Sequence, residues 1–177
     1  MDKGDIINVL LQNHNAFIAK IRSLSDMDFT TSNHGKWNAG QQLSHIVKSV
    51  VAVQRAFELP KSVLGDKFGT TNRKNRTYEE VVSDYLNTLN ENPDYVLLEK
   101  FTPSTIAVTD KTVVLEQLHT LIKMLTNDID KCSEMELNTF ILPHPVMGNQ
   151  TLREILYFTA YHVLHHDKQV LKNLKTN

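Results

Sequence analysis

The sequence predicts an all-α protein: a four-helix bundle with an extra helical and loop segment around residues 60–105, in one domain spanning 1–177. Three observations lead there. Apolar residues recur at steps of three and four along four long segments, the spacing of a buried helical stripe. Asn38 with Gln41, Thr77 with Glu80 and Thr151 with Glu154 each have the i, i+3 pattern of a capping box, which opens a helix. No segment sustains a period-two alternation between hairpin turns. A chain of 177 residues that is 41% hydrophobic can bury a core unaided and is too apolar to remain disordered.

The first helix is expected from about Asp5 to Leu24, with Ile6, Ile7, Leu10, Leu11, Phe17, Ile18 and Ile21 as its stripe. A polar loop follows from Ser25 to Trp37. Asn38 opens the second helix, which runs to about Leu59, where Pro60 stops it. Residues 61–76 read as a loop with five positive charges, Lys61, Lys67, Arg73, Lys74 and Arg76, against Asp66. Thr77 starts a helix carrying Val81, Val82, Tyr85, Leu86 and Leu89, and Pro93 and Pro103 interrupt the region beyond it. Thr109 or Asp110 caps the next long helix, whose stripe is Val113, Val114, Leu118, Leu121, Ile122, Leu125 and Ile129. Phe140 to Leu142 and Thr105 to Val108 read as short extended pieces without forming a sheet. A short loop holds Pro143-His144-Pro145 and Gly148, and the last helix runs from Thr151 to about Leu174.

Composition excludes several function classes. Nineteen Lys and Arg against twenty Asp and Glu give a net charge of -1, without the basic excess that general nucleic-acid binding requires. The single cysteine, Cys132, rules out an internal disulfide and any multi-cysteine metal site, and it reads as structural because no partner base is identifiable. No apolar run approaches the ~20 residues that cross a bilayer, and the acidic N-terminus is not that of a signal peptide. A cytoplasmic protein that acts on a small molecule, without nucleic-acid or membrane partners, is expected. The wide apolar stripes of the first and last helices, with Phe158 beside Tyr161, suggest a homodimer.

The eight histidines carry the chemistry. On the last helix, at about 100° per residue, Leu152, Leu156, Thr159, Val163, Val170 and Leu174 form one narrow stripe. His162 and His166 fall together on its edge, and His165 lies further round. Two imidazoles one turn apart can share a metal ion; two core histidines satisfied by backbone or water are the competing reading. His45 on the second helix stands beside the small residues Ser49, Ala52 and Ala56, which leave room for a pocket or for close helix packing. His45 plus the His162–His166 pair makes a plausible three-ligand site.

The segment Trp37-Asn38-Ala39-Gly40-Gln41-Gln42-Leu43-Ser44-His45 resembles the tryptophan-to-histidine segment of the DinB/YfiT-like superfamily. So does the end of the chain, from Leu142-Pro143-His144-Pro145 through Gly148 and Thr151-Leu152-Arg153-Glu154 to Tyr157–His166; the stretch from Thr71-Asn72-Arg73 is also similar to its DinB_2 branch. The resemblance covers most of the chain. It implies a four-helix bundle holding a divalent metal, often zinc or nickel, with three histidines, which by motif position are His45, His162 and His166. It also implies one of several activities. Some members are thiol-S-transferases that use a low-molecular-weight thiol such as bacillithiol, mycothiol or glutathione as co-substrate, and others are assigned as metal-dependent hydrolases. A thiol on the metal would become a thiolate nucleophile near neutral pH, and a water there would be acidified to a pKa of about 7.

The expected function is therefore a metal-dependent enzyme with a three-histidine site and an open coordination position, leaning to thiol S-transfer. The alternatives are a hydrolase and a non-catalytic, metal-binding stress-response bundle. The last would show a closed shell, with His14 or Glu116 as a fourth ligand. His165, Asp167 and Gln169 are candidates to orient the ligating imidazoles. His144 between its two prolines is either a substrate contact or part of a rigid turn that aims the last helix. His14, within the first helix's stripe, is a pocket, interface or core residue. His34 and His119 have no distinguishing context.

Overall fold

A computed structural model of the chain describes residues 1–33 and 35–175; His34, Thr176 and Asn177 lie outside the described residues. Four long helices form the bundle: α1 (Lys3–Ser23), α3 (Ala39–Glu58), α6 (Lys111–Lys131) and α8 (Leu152–Leu174). α1 and α3 each pack against both α6 and α8, so α1 lies diagonally from α3 across the core. All three expected capping boxes are present, at Asn38, Thr77 and Thr151, and Asp2 and Ser133 add two more. The helices therefore start where short polar side chains satisfy their first free N–H groups.

The shorter elements lie in the connections. The expected polar loop after α1 contains α2 (Asp26–Thr30), which buries Phe29, and the basic segment after Pro60 contains α4 (Lys61–Phe68), which buries Leu64. Each is one or two turns long, too short to establish a period. α5 (Tyr78–Glu91) packs against α8, and α7 (Glu134–Thr139) precedes a hairpin. Asp110 occupies the N-cap of α6 without a side-chain capping bond, because a 3-10 turn over Val108–Asp110 leads directly into the helix.

The extended piece at 140–142 and the loop after it differ from expectation. β1 (Ile141–His144) pairs antiparallel with β2 (Gly148–Thr151), from Ile141 opposite Thr151 to His144 opposite Gly148. Strands of four residues cannot display a sustained alternation, and Pro143 masks the pattern further; a two-stranded ribbon tolerates it because both strands are edges. Gly148 closes the turn at a φ of 66°, a conformation that favours glycine.

The apolar core is divided in two. One cluster includes Ile6, Leu10, Phe57, Leu125, Ile129 and Ala160; the other includes Phe17, Val50, Ile122 and Val163. On α1 the break falls at His14 and on α8 at His162. Buried polar groups therefore occupy the middle of the bundle, and the candidate site lies at this level. Among the described residues no helix is long and apolar enough to cross a membrane.

Candidate metal centre

The α8 register places His162 and His166 on the buried edge of its stripe, each 6% exposed, while Leu152, Leu156, Thr159, Val163 and Val170 are buried beside them. His165, one position off, is only partly buried, as its angle on the helix requires. From the facing helix α3, His45 enters the same space. Its neighbours Ser49, Ala52 and Ala56 border a cavity of about 630 Å3, so the small side chains leave space there.

The three imidazoles converge through their Nε2 atoms. His162 Nε2 lies 3.3 Å from His45 Nε2 and 2.9 Å from His166 Nε2. One possible ligand atom from each of these three histidines lies within 4.8 Å of the others, and among the described residues no further histidine, cysteine or carboxylate joins the group.

The opposite ring edges are tied down. His45 Nδ1 donates to the carbonyl of Phe101 at 2.8 Å, from the 3-10 turn Glu99–Phe101. His166 Nδ1 donates to Gln42 Oε1. A ring whose Nδ1 carries the proton presents a lone pair at Nε2. Burial lowers the pKa of all three. For His45 the Phe101 bond opposes that and the charge of Lys48 adds to it; for His162 and His166 neighbouring histidines add to it. Neutral rings with inward-facing Nε2 atoms are the protonation state that binds a metal.

This donor set fits a divalent cation. Two nitrogens each about 2.0–2.1 Å from a tetrahedral zinc are about 3.3 Å apart, and octahedral geometry brings them closer. The separations of 3.3 and 2.9 Å span that range. A hydrogen on His162 Nε2 can serve one of the two contacts fully, whereas a cation between the rings serves all three lone pairs.

Aromatic rings wall the centre. Trp37 stacks on His166 at 6.1 Å and leans on His45 at 5.2 Å, and Phe158 stacks on His162 at 4.6 Å. Tyr85 from α5 meets His162 edge-on at 6.0 Å. Tyr85 is buried, and burial raises its pKa, so its hydroxyl stays protonated. The cavity is lined mainly by apolar and aromatic side chains; among the described residues Arg55 and Lys100 bring cations to it, and no aspartate or glutamate lines it.

Several expected roles are reassigned. Gln42 and the Phe101 carbonyl, rather than His165, Asp167 or Gln169, hold the ligand rings: Asp167 is engaged by Lys20 at 2.5 Å and Gln169 makes no bond to the triad. Gln42 had a readable signal, since it lies three residues before His45, one turn away on the same helix. The Phe101 carbonyl had none, because a backbone group carries no residue identity. Neither proposed fourth ligand reaches the centre. Glu116 is exposed and pairs with Arg22, and His14 bonds through Nδ1 to the Leu10 carbonyl while its buried Nε2 has no partner.

The basic stretch 61–76 is more than a solvated loop. Arg73 and Arg76 bind the fully buried Glu154 in the first turn of α8, and of that stretch only Phe68 lines the cavity. Cys132 is buried, with its thiol on the Asp128 carbonyl, and burial raises its pKa, in keeping with a structural role. His119 contacts Asn15 away from the site. Phe158, expected near an interface, is instead buried in the cavity wall.

A family model described as the DinB superfamily matches residues 9–170. No curated protein matches the chain.

Proposed function

The chain belongs to the DinB superfamily, and on that premise we propose that it is a metal-dependent enzyme whose centre is held by His45, His162 and His166 and whose reaction is transfer of a low-molecular-weight thiol to a small organic substrate. The observation that carries this reading is the convergence of three imidazole nitrogens, two of them left with a lone pair by the bonds at Nδ1, at the wall of a large apolar cavity. Zinc or nickel suits three imidazole donors. Three protein ligands, with no fourth among the described residues, favour a centre open to a reactant over a closed structural shell. The bound metal would act as a Lewis acid that lowers a thiol's pKa and so supplies thiolate near neutral pH.

The lining favours thiol transfer over hydrolysis. Metal binding acidifies a thiol and a water alike, so the discriminating features are the charge of the cavity and the lack, among the described residues, of a lining carboxylate of the kind that serves as general base in the HExxH metalloproteases. Arg55 and Lys100 provide positive charge at the cavity for an anionic thiol. Trp37, Phe158 and Tyr85 give the centre aromatic, largely apolar walls.

The test is elemental analysis of the purified protein, followed by cobalt substitution and titration with bacillithiol, glutathione and cysteine. A sulfur-to-metal charge-transfer band, with an apparent thiol pKa below the free value of ~8.5, is the expected result. An unchanged spectrum with all three thiols on fully metallated protein would refute thiol transfer and favour hydrolysis or a non-catalytic centre.

A further inference from the structure

His144 has a role that neither the triad nor the thiol explains. It ends β1 opposite Gly148, at the tip of the hairpin that leads into α8. Its Nδ1 accepts two backbone hydrogen bonds, from Val146 N–H at 3.2 Å and Met147 N–H at 3.1 Å. Pro145 has no N–H, so these two amides are the donors that the turn leaves over. With its Nδ1 lone pair so used, the neutral ring carries its proton on Nε2. Burial keeps it neutral, lowering its pKa to about 4.

The ring lines the cavity, and among the described residues no protein group accepts from its Nε2–H. It lies edge-on to Phe158 at 4.3 Å, and Phe158 stacks on His162 at 4.6 Å. One aromatic ring therefore separates His144 from the triad. The hairpin presents a neutral donor of set orientation beside the centre.

The rest of the lining indicates what that donor receives. Arg55 and Lys100 are donors only; the Ser49 hydroxyl gives its hydrogen to the His45 carbonyl at 2.9 Å and keeps its oxygen lone pairs, and Tyr85, Tyr95 and His165 also bring polar atoms to the lining. Among the described residues no carboxylate or side-chain amide lines the cavity. With His144, Arg55 and Lys100 presenting donors, the lining is matched by a ligand that brings an acceptor oxygen.

We propose that His144 Nε2–H is the donor that recognises an acceptor oxygen in this cavity, and that the substrate is a largely apolar organic compound carrying such an oxygen, as a ketone does. This rests on the cavity being the substrate chamber of the reading above. His144 binds the oxygen and, where that oxygen belongs to a carbonyl, draws electron density from the carbonyl carbon.

The experiment compares acetophenone with ethylbenzene, which share a skeleton and differ in the carbonyl oxygen. Binding of each is measured by NMR titration on the intact protein and on His144→Phe, with metal content determined on the same samples. The ketone-to-hydrocarbon affinity ratio is expected to fall about 5- to 10-fold in the variant, the worth of one neutral hydrogen bond. Nitrogen-15 spectra of histidine-labelled, unsubstituted protein test the idea without any variant. They should show the His144 proton on Nε2, with that resonance moved by acetophenone and not by ethylbenzene. A proton on Nδ1, an unmoved resonance, or an unchanged ratio in a folded variant overturns the proposal. Loss of the ratio with no metal in either protein would leave the His144 role standing and refute the metal centre alone.

Discussion

Glu154→Gln is the substitution whose cost can be worked most directly from the structure. Glu154 caps the first turn of the helix that carries His162 and His166, and its side chain is fully buried. Oε1 receives Arg73 Nη1 at 2.6 Å and the Arg76 backbone N–H at 2.8 Å; Oε2 receives Arg73 Nη2 at 2.6 Å and the Thr151 N–H at 3.0 Å. Burial alone would raise the pKa of this carboxyl. The bonds from Arg73 and Arg76 outweigh it and bring the pKa down to about 2. Against the ordinary carboxyl value of 4.5, that difference is worth about 3 kcal/mol of stability near neutral pH. At about 2.1 cal/mol/K per residue of unfolding entropy, the loss corresponds to a Tm about 8 °C lower. Because the folded pKa is depressed, the stabilisation is complete above the unfolded value and disappears as pH falls towards 2. Thermal unfolding of wild type and Glu154→Gln at matched metal content should therefore show the full gap at pH 7 and a narrowing one from pH 5 to pH 3. A gap under 2 °C at pH 7, or one that does not change with pH, would show that the buried ion pair only offsets its own desolvation.

His162→Ala and His166→Ala should each lower metal content sharply while His165→Ala retains it; equal loss in all three, by elemental analysis, would mean that the wrong ring had been chosen. Gln42→Leu removes the acceptor for His166 Nδ1 and should weaken metal affinity about 10- to 100-fold in a chelator competition without changing the ligand set. His14 is buried with an unpartnered Nε2, and burial lowers its pKa to about 4. Its neutral form is favoured by folding, so stability falls as pH drops from about 6.5 to 4; His14→Met should flatten that part of the Tm–pH curve, and an unchanged curve would count against a buried neutral ring. A homodimer is expected in solution, and sedimentation at micromolar concentration that shows only a 20.2 kDa species would remove it.

The helices and the shared buried edge of His162 and His166 were legible because they depend on local geometry. Asn38 and Gln41, Thr77 and Glu80, and Thr151 and Glu154 cap helices through bonds that span three residues, so the chain carries the whole instruction. His162 and His166 share an edge through the rotation of one helix, and the same rotation turns His165 away. The DinB superfamily was recognisable for the same reason, since its motifs are short and contiguous around these residues.

The tertiary structure decided the encounters between segments far apart in the chain. His45 meets His162 across 117 positions, and the Phe101 carbonyl that orients His45 comes from a loop with no helical period to read. Arg73 and Arg76 have the pattern of a solvated basic loop, yet Glu154, about eighty residues later, is buried between them. His144 has the pattern of a rigid loop residue, yet the hairpin places two amides on one ring nitrogen and leaves the other facing the cavity. Periodicity and capping determine how each helix forms and which face it buries. Which charged or polar groups meet across the core depends on the packing of four helices, because a hydrogen bond between distant segments leaves no spacing in the sequence to read.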